Sequence, residues 1–361
     1  MAIKDNKEFN QTMLFGRAAP SGYEKNSVLY FREEMEKIGL NHMVTDSMWN
    51  CVMSVGSSLS RTNKSILIEG HIDSCSFLVS HITKNGYIRV IKQGGPDRKC
   101  MQGHKFNIQT RSMSVLSAIC PKKAIHLETQ IDRNKVDDWT DLVLDIGCNT
   151  IDDVKSLGVQ VGDIVTYSND YYCYSFGKDG KYVISQTMDD KAAILCLYEL
   201  GKRLKSIEKA LDEKRIRIFL AATSSEETGT RGATNVAMRL QPDYSISIDC
   251  THSVPSELGG IVAAGNDILC GKGVVLCFGP ASNRDFMYEL QTVAEENSID
   301  YQLQAVGPNG TNCNAIQMFG GNCKTALLSY PLQGMHTPVE KVQWTDLDSV
   351  VNLISHWIDI L

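Results

Sequence analysis

Short apolar runs of strand length alternate with longer stretches of helix period in this chain, and that alternation limits its fold more than any other feature. From Tyr23 to Ile38 the apolar positions Val28, Leu29, Phe31, Met35 and Ile38 approximate one face of a helix. The run Ser65-Ile-Leu-Ile-Glu-Gly70 then reads as a short buried strand. The pattern returns after Asp189. A helix is expected over 191–204, a strand over 216–222, a helix from about Ala233 and a strand over 244–249. Further on come a strand over 274–278, a helix over 284–298, a strand over 324–330 and a C-terminal helix from Asp346. Residues 1–20 read as a terminal helix. Strands alternating with helices imply an α/β fold, a mostly parallel sheet flanked by helices on both faces.

Between about Cys75 and Tyr174 the texture changes to short β-like runs separated by Gly, Pro, Asn and Asp, such as Gly86-Tyr-Ile-Arg-Val-Ile and Gly162-Asp-Ile-Val-Thr-Tyr. Residues 76–174 are therefore expected to form an inserted β-rich domain within a discontinuous domain made of 1–75 and 175–361. A chain of 361 residues is long enough to bury such cores without disulfides. Its 36 Lys and Arg against 42 Asp and Glu argue against nucleic acid as a partner. It has no apolar run of about 18 residues, so no membrane role is expected. The opening residues lack the apolar core of a secretory signal, which points to the cytoplasm. The twelve cysteines are scattered, with no Cys-x-x-Cys pair, and read as reduced, mostly buried small hydrophobes.

Five places put metal-ligating side chains at or just after expected strands, where an open α/β sheet builds its sites. They are His71-Ile-Asp73, Asp189-Asp190, Glu226-Glu227, Asp249 and His336. Asp73 sits two residues from His71 on an extended segment, so it can hold one imidazole nitrogen while the other faces a metal. Asp189 falls in the turn before an apolar helix, where it could serve as an N-cap or offer its two oxygens to two cations. Neighbouring carboxylates such as Glu226 and Glu227 at the end of a buried strand repel unless something positive sits beside them. One can ligate while the other takes a proton from water. Asp249 ends an otherwise apolar or small-residue strand, where a carboxylate is costly unless paired or coordinated. A set of two His and three carboxylates suits Zn²⁺, Co²⁺ or Mn²⁺, and spacing does not choose among them.

These residues, with Ser21-Gly-Tyr-Glu24 near the start and Met335-His-Thr-Pro-Val-Glu340 near the end, resemble the tetrahedral (TET) aminopeptidases. That is the glutamyl or deblocking aminopeptidase family of co-catalytic di-zinc metallopeptidases, some members of which carry the label endoglucanase or cellulase M. Gln102-Gly-His-Lys-Phe-Asn-Ile, Asp141-Leu-Val-Leu-Asp-Ile-Gly147 and Val161-Gly-Asp163 are similar to that family's β-barrel dimerisation domain. The resemblance implies two divalent ions per subunit, with His71 and Asp249 on one, Glu227 and His336 on the other, and Asp189 bridging them. It implies Glu226 as general base and acid, and Asp73 as the residue that orients His71. It further implies short peptide substrates, and a homo-oligomer in the form of a tetrahedral dodecamer whose dimers are made by the insertion.

Two departures stand out. The family's His-Met-Asp-Glu-Ile-Gly is here His71-Ile-Asp-Ser-Cys-Ser76, and its Gly-Gly-Thr-Asp-Ala is here Asn309-Gly-Thr-Asn-Cys313, so Asn312 replaces an acid expected near the substrate pocket. The leading expectation is a cytoplasmic aminopeptidase that uses a metal-bridging hydroxide. The alternatives are an N-acyl amino acid deacylase with the same metal site and a catalytically silent peptide-binding or assembly protein.

Overall fold

The computed structural model describes residues 2–16, 18–57, 64–261, 266–307 and 310–361, leaving aside the side chain of Asp132. It divides into two compact units, one of Met1–Ser74, Tyr172–Met335 and Val339–Leu361, the other of Cys75–Tyr171 and His336–Pro338.

The first unit is built on an eight-stranded sheet. Its order is Asn41–Thr45, Cys51–Gly56, Ile216–Thr223, Lys64–His71, Tyr244–His252, Lys324–Leu332, Val274–Phe278 and Tyr301–Ala305. Four of its seven neighbouring pairs are parallel, including the three at the centre. The antiparallel pairs lie towards the two sides. Asn41–Thr45 is largely exposed and so carries little apolar alternation to mark it in the sequence.

Alternation along the central strands explains why they read as continuous apolar runs. On Lys64–His71, Ile66 and Ile68 join one apolar layer with Ala192, Ala193 and Leu197 of the helix Met188–Ser206. Leu67 joins another layer with Ala233 and Val236 of Arg231–Leu240 and with Ile316 of Asn312–Phe319. On Ile216–Thr223 the same split sends Ile218 and Leu220 one way, Phe219 and Ala221 the other. A strand covered on both faces has no solvent side to mark with polar residues. Each buried Ile, Leu, Val or Phe among them contributes about 1.5–3 kcal/mol.

The helix Met188–Ser206 lies very close to the strand Lys64–His71. A Cβ on Gly70 would stand 2.4 Å from Ala193 Cβ and 3.2 Å from Asp190 Oδ2, so glycine is what permits the approach. His71 and Thr223 are register partners at the ends of adjacent parallel strands, and the neighbouring strand carries Asp249 near its own end. The loops that follow parallel strands gather at this edge, where α/β sheets bind ligands.

The second unit holds a five-stranded antiparallel sheet in the order Ile88–Gln93, Ser76–Ile82, Ile164–Tyr167, Lys105–Gln109 and Val115–Ile119. Its own core includes Phe77, Phe106, Ile108 and Val165. Among the described residues the ladder does not close into a barrel. Instead, the two outer strands each make one bridge to the Leu144-Asp145 segment.

At the N-terminus the expected helix is Lys7–Phe15, preceded by a short 3-10 turn. All twelve cysteines are free thiols, but only five are buried and seven are half-buried. The expectation of mostly buried thiols fails because residues such as Cys75, Cys148 and Cys270 lie in loops rather than in the apolar runs. Among the described residues no helix is long and apolar enough to cross a membrane.

Candidate metal centre

His71 ends its strand with its side chain buried. Its Nδ1 lies 3.1 Å from the main-chain oxygen of Asp73 and 3.5 Å from Asp73 Oδ1. A carbonyl oxygen only accepts, so Nδ1 carries the proton and Nε2 is left as a donor atom for a metal. That Nε2 is 3.2 Å from Asp189 Oδ1 and 3.9 Å from Glu226 Oε2. Ligand atoms of His71, Asp189 and Asp249, all buried, lie within 4.8 Å of one another.

Regular helix begins only after Asp190, because Asp189 and Asp190 hold non-helical dihedrals at the head of Met188–Ser206. The Asp189 amide donates to Glu340 Oε2 at 3.0 Å, which fixes the main chain there. Asp190 is fully buried. It accepts the His71 amide at 3.0 Å and the Tyr330 hydroxyl at 2.6 Å, so it ties the strand carrying His71 to the segment carrying Asp189.

The electrostatics of this cluster favour a cation. Burial pushes Glu226 above the usual carboxyl range, and the charges of Asp249, Glu227 and Asp189 push the same way, while His71 pulls it down. Asp249 is raised by burial and by Asp189, again with His71 opposing. Asp190 is raised well above its ordinary value, first by burial. Burial opposes the charged form of His71, but Asp190, Asp189, Asp73 and Glu226 together hold its pKa well up. One imidazole nitrogen and two carboxylates, buried and converging, match the ligand chemistry of Zn²⁺, Co²⁺ or Mn²⁺, so these residues fit a divalent ion.

Glu226 and Glu227 stand just beyond the strand Ile216–Thr223. The amides of Glu226 and Glu227 donate to Asp73 Oδ1 and Oδ2 at 3.0 and 3.3 Å. Asp73 thus meets the imidazole chiefly through its carbonyl, while its carboxylate holds the turn of the paired glutamates. Upstream, Asn50 Oδ1 accepts the Ser224 amide at 2.9 Å, and a Cβ on Gly232 would fall 2.3 Å from both that oxygen and the Ser224 carbonyl oxygen. The turn is therefore packed from below as well.

His336 falls in the second unit, half-buried and with φ of 63°. Its Nδ1 lies 2.9 Å from the Gly95 carbonyl oxygen, so here too Nδ1 carries a proton. Asn312 is not where an altered substrate contact would put it. It is buried, and its amide nitrogen donates to Glu69 Oε2 at 2.8 Å and to Thr223 Oγ1 at 2.9 Å. Asn309 lies outside the described residues.

Sequence reading missed the roles of Asp190, Glu24 and Glu69. Asp190 was legible only as the neighbour of Asp189. Glu69 carried a signal, since an acid two residues before a ligand in an apolar run must be satisfied by something. Glu24 lies in Ser21-Gly-Tyr-Glu24, where neither residue type nor spacing marks a role.

Known proteins share this arrangement of elements. A TET aminopeptidase from the marine sediment archaeon Thaumarchaeota archaeon SCGC AB-539-E09 superposes with a TM-score of 0.88 at 23% identity, covering 99% of this chain and 96% of that one. The TET1 peptidase of Pyrococcus horikoshii, described as assembling into a tetrahedron or a large octahedral shell, superposes at 0.78 with 27% identity over 98% of both chains. A lysyl aminopeptidase of Pyrococcus furiosus is 25% identical over 338 residues, 92% of this chain and 91% of its own. The sequence model of the M42 glutamyl aminopeptidases matches residues 50–353. With this match over most of its length, the chain belongs to the M42 glutamyl aminopeptidase family and is a peptide hydrolase.

Proposed function

We propose that this protein is a di-metal aminopeptidase that removes N-terminal residues from short peptides. The observation that carries the reading is the buried convergence of His71, Asp189 and Asp249 beside Glu226. By analogy with the family, His71 and Asp249 would hold one divalent ion, Glu227 and His336 would hold the other, and Asp189 would serve both. Bound there, the ions supply Lewis-acid polarisation of the scissile carbonyl and lower the pKa of water.

The chain's own residues do the rest. Glu226 takes a proton from the attacking water and returns it to the leaving amine. Asp73 fixes the Nδ1 proton of His71 and the main chain of both glutamates. Asp190 locks the strand end against the Asp189 segment. Zinc is the expected ion, and cobalt or manganese also suits this mixed nitrogen and oxygen ligand set.

Residues 76–174 are proposed to mediate dimers within a homo-oligomer, a tetrahedral dodecamer by analogy with the Pyrococcus horikoshii peptidase. Exposed Ile91, Met113, Val115 and Ile119 in that region support an interface. Sedimentation giving only monomer would contradict it.

The deciding test is release of free amino acids from a peptide panel of varied N-terminal residues, with and without Zn²⁺, Co²⁺ or Mn²⁺. Metal-dependent stepwise release that Glu226→Gln lowers by about 100-fold or more supports the reading. Faster turnover of N-acetylated substrates replaces it with a deacylase. No turnover of any substrate leaves a silent binding protein.

A further inference from the structure

Three consecutive amides lead into the paired glutamates, and two buried carboxylates hold all of them. Ser225 donates from its amide at 3.1 Å and from its hydroxyl at 3.2 Å to Glu24 Oε1. The next two amides, of Glu226 and Glu227, go to the two oxygens of Asp73. Ser225 has a left-handed φ of 54°, a conformation that a serine adopts only when its surroundings enforce it. Glu24 and Asp73 are both fully buried.

These two carboxylates are joined through a single turn near the N-terminus. The Ser21 hydroxyl donates to Asp73 Oδ2 at 2.6 Å. Glu24 Oε1 also accepts the Gly22 amide at 2.8 Å, where Gly22 has φ of 86° and only glycine fits without strain. Ser74 is tied to the same segment by its amide, which donates to the Ala19 carbonyl oxygen at 3.0 Å. The segment thus grips Asp73 with one residue and Ser225 with another three positions on.

We propose that Ser21 and Glu24 are positioning residues for the reaction. They act as a bracket that holds the Ser225 turn in its left-handed form and thereby aims the carboxyl groups of Glu226 and Glu227. Neither belongs to the converging ligand cluster of His71, Asp189 and Asp249. The inference rests on the aminopeptidase reading above. Without the Glu24 acceptor, Ser225 relaxes towards an ordinary φ. The two residues that follow then swing, even though every ligand and the general base remain in the sequence. Such a loss of aim lowers kcat and leaves KM, which reports substrate binding, nearly unchanged.

The test uses Glu24→Ala, Glu24→Gln and Ser21→Ala in the full chain. Peptide turnover is read on metal-loaded protein, and backbone amide exchange on metal-free protein. Glu24→Ala is expected to lower kcat about 10- to 100-fold with KM within about threefold. Amide exchange should quicken by about tenfold or more at 225–227, with the sheet amides unchanged. Glu24→Gln keeps an acceptor oxygen and is expected to recover kcat to within about fivefold of wild type. Ser21→Ala is expected to fall between them.

The proposal is overturned if Glu24→Ala and Ser21→Ala keep kcat within about twofold of wild type, or if exchange at 225–227 does not change. Should Glu24→Ala fail to fold, Ser21→Ala decides by the same two measurements. An inactive wild type would instead count against the aminopeptidase reading, while the exchange result would still decide whether the bracket exists.

Discussion

Replacing Gly70 with alanine tests how tightly the sheet and the helix beneath the metal centre set its geometry. The new Cβ would lie 2.4 Å from Ala193 Cβ, whereas carbon atoms pack at about 3.5–4.0 Å, so the helix must retreat by roughly an ångström. Overpacking of this kind costs about 1–3 kcal/mol. The retreat has a functional cost as well. Asp190 on that segment accepts the His71 amide at 3.0 Å, and Asp189 beside it stands 3.2 Å from His71 Nε2. Misplacement of about 1 Å at a reacting centre lowers turnover by about 100-fold. Ala193→Gly in the same chain removes the colliding atom. It should restore turnover to near wild type, at a residual cost of about 1 kcal/mol for glycine within a helix. Urea unfolding of the metal-free protein and peptide turnover of the loaded enzyme measure the two effects. If Gly70→Ala matches wild type in both, or if the double variant is no better than the single one, the contact does not set the spacing.

Asp346 accepts the amides of Gly271 and Gly273 at 2.7 and 2.9 Å, yet burial pushes its carboxyl up to about 7 from an ordinary 3.8. A raised carboxyl pKa contributes stability that is complete below the ordinary value and is lost as pH rises towards 7. Relative to Asp346→Asn, wild type should therefore lose up to about 1.4 kcal/mol per pH unit across that window and level off above it. Urea unfolding of both proteins at pH 5, 6, 7 and 8 checks this, and a difference independent of pH would refute it. Asp249→Asn removes one anionic ligand and should weaken binding of the first ion by about tenfold or more, read by competition with a chromophoric chelator. An unchanged affinity would remove Asp249 from the ligand set.

The parallel centre of the sheet was legible because its strands are buried on both faces, which leaves uninterrupted runs such as Ser65-Ile-Leu-Ile. The flanking strand Asn41–Thr45 was not, because a mostly exposed edge imposes no apolar pattern. The sequence pattern marks the helix over 191–204, and the structure extends its segment back to Met188, with two of the three added residues not helical at all. Those two are Asp189 and Asp190. The chemistry of the segment sits where local pattern ends, since a regular helix would point both carboxylates by its own period rather than at His71.

The same division explains what could be read of the site. Residues whose chemistry is their own, such as His71, Asp189, Glu226 and Asp249, announce themselves by type and by position at strand ends. Residues that act by accepting main-chain amides do not, because such contacts join positions far apart in sequence: Asp190 to His71, Asp73 to Glu226, Glu24 to Ser225. Asn312 shows the converse error. An acid lost from a motif looked like an altered substrate contact, but the side chain is buried against Glu69, which supplies a carboxylate from the neighbouring strand. Whether that carboxylate and the asparagine form one unit is decided by Asn312→Asp. It would place two acids 2.8 Å apart in a buried site, so one must stay protonated at a cost in stability that grows as pH rises. A variant as stable as wild type at pH 8 would show that Glu69 is not held there by the Asn312 amide.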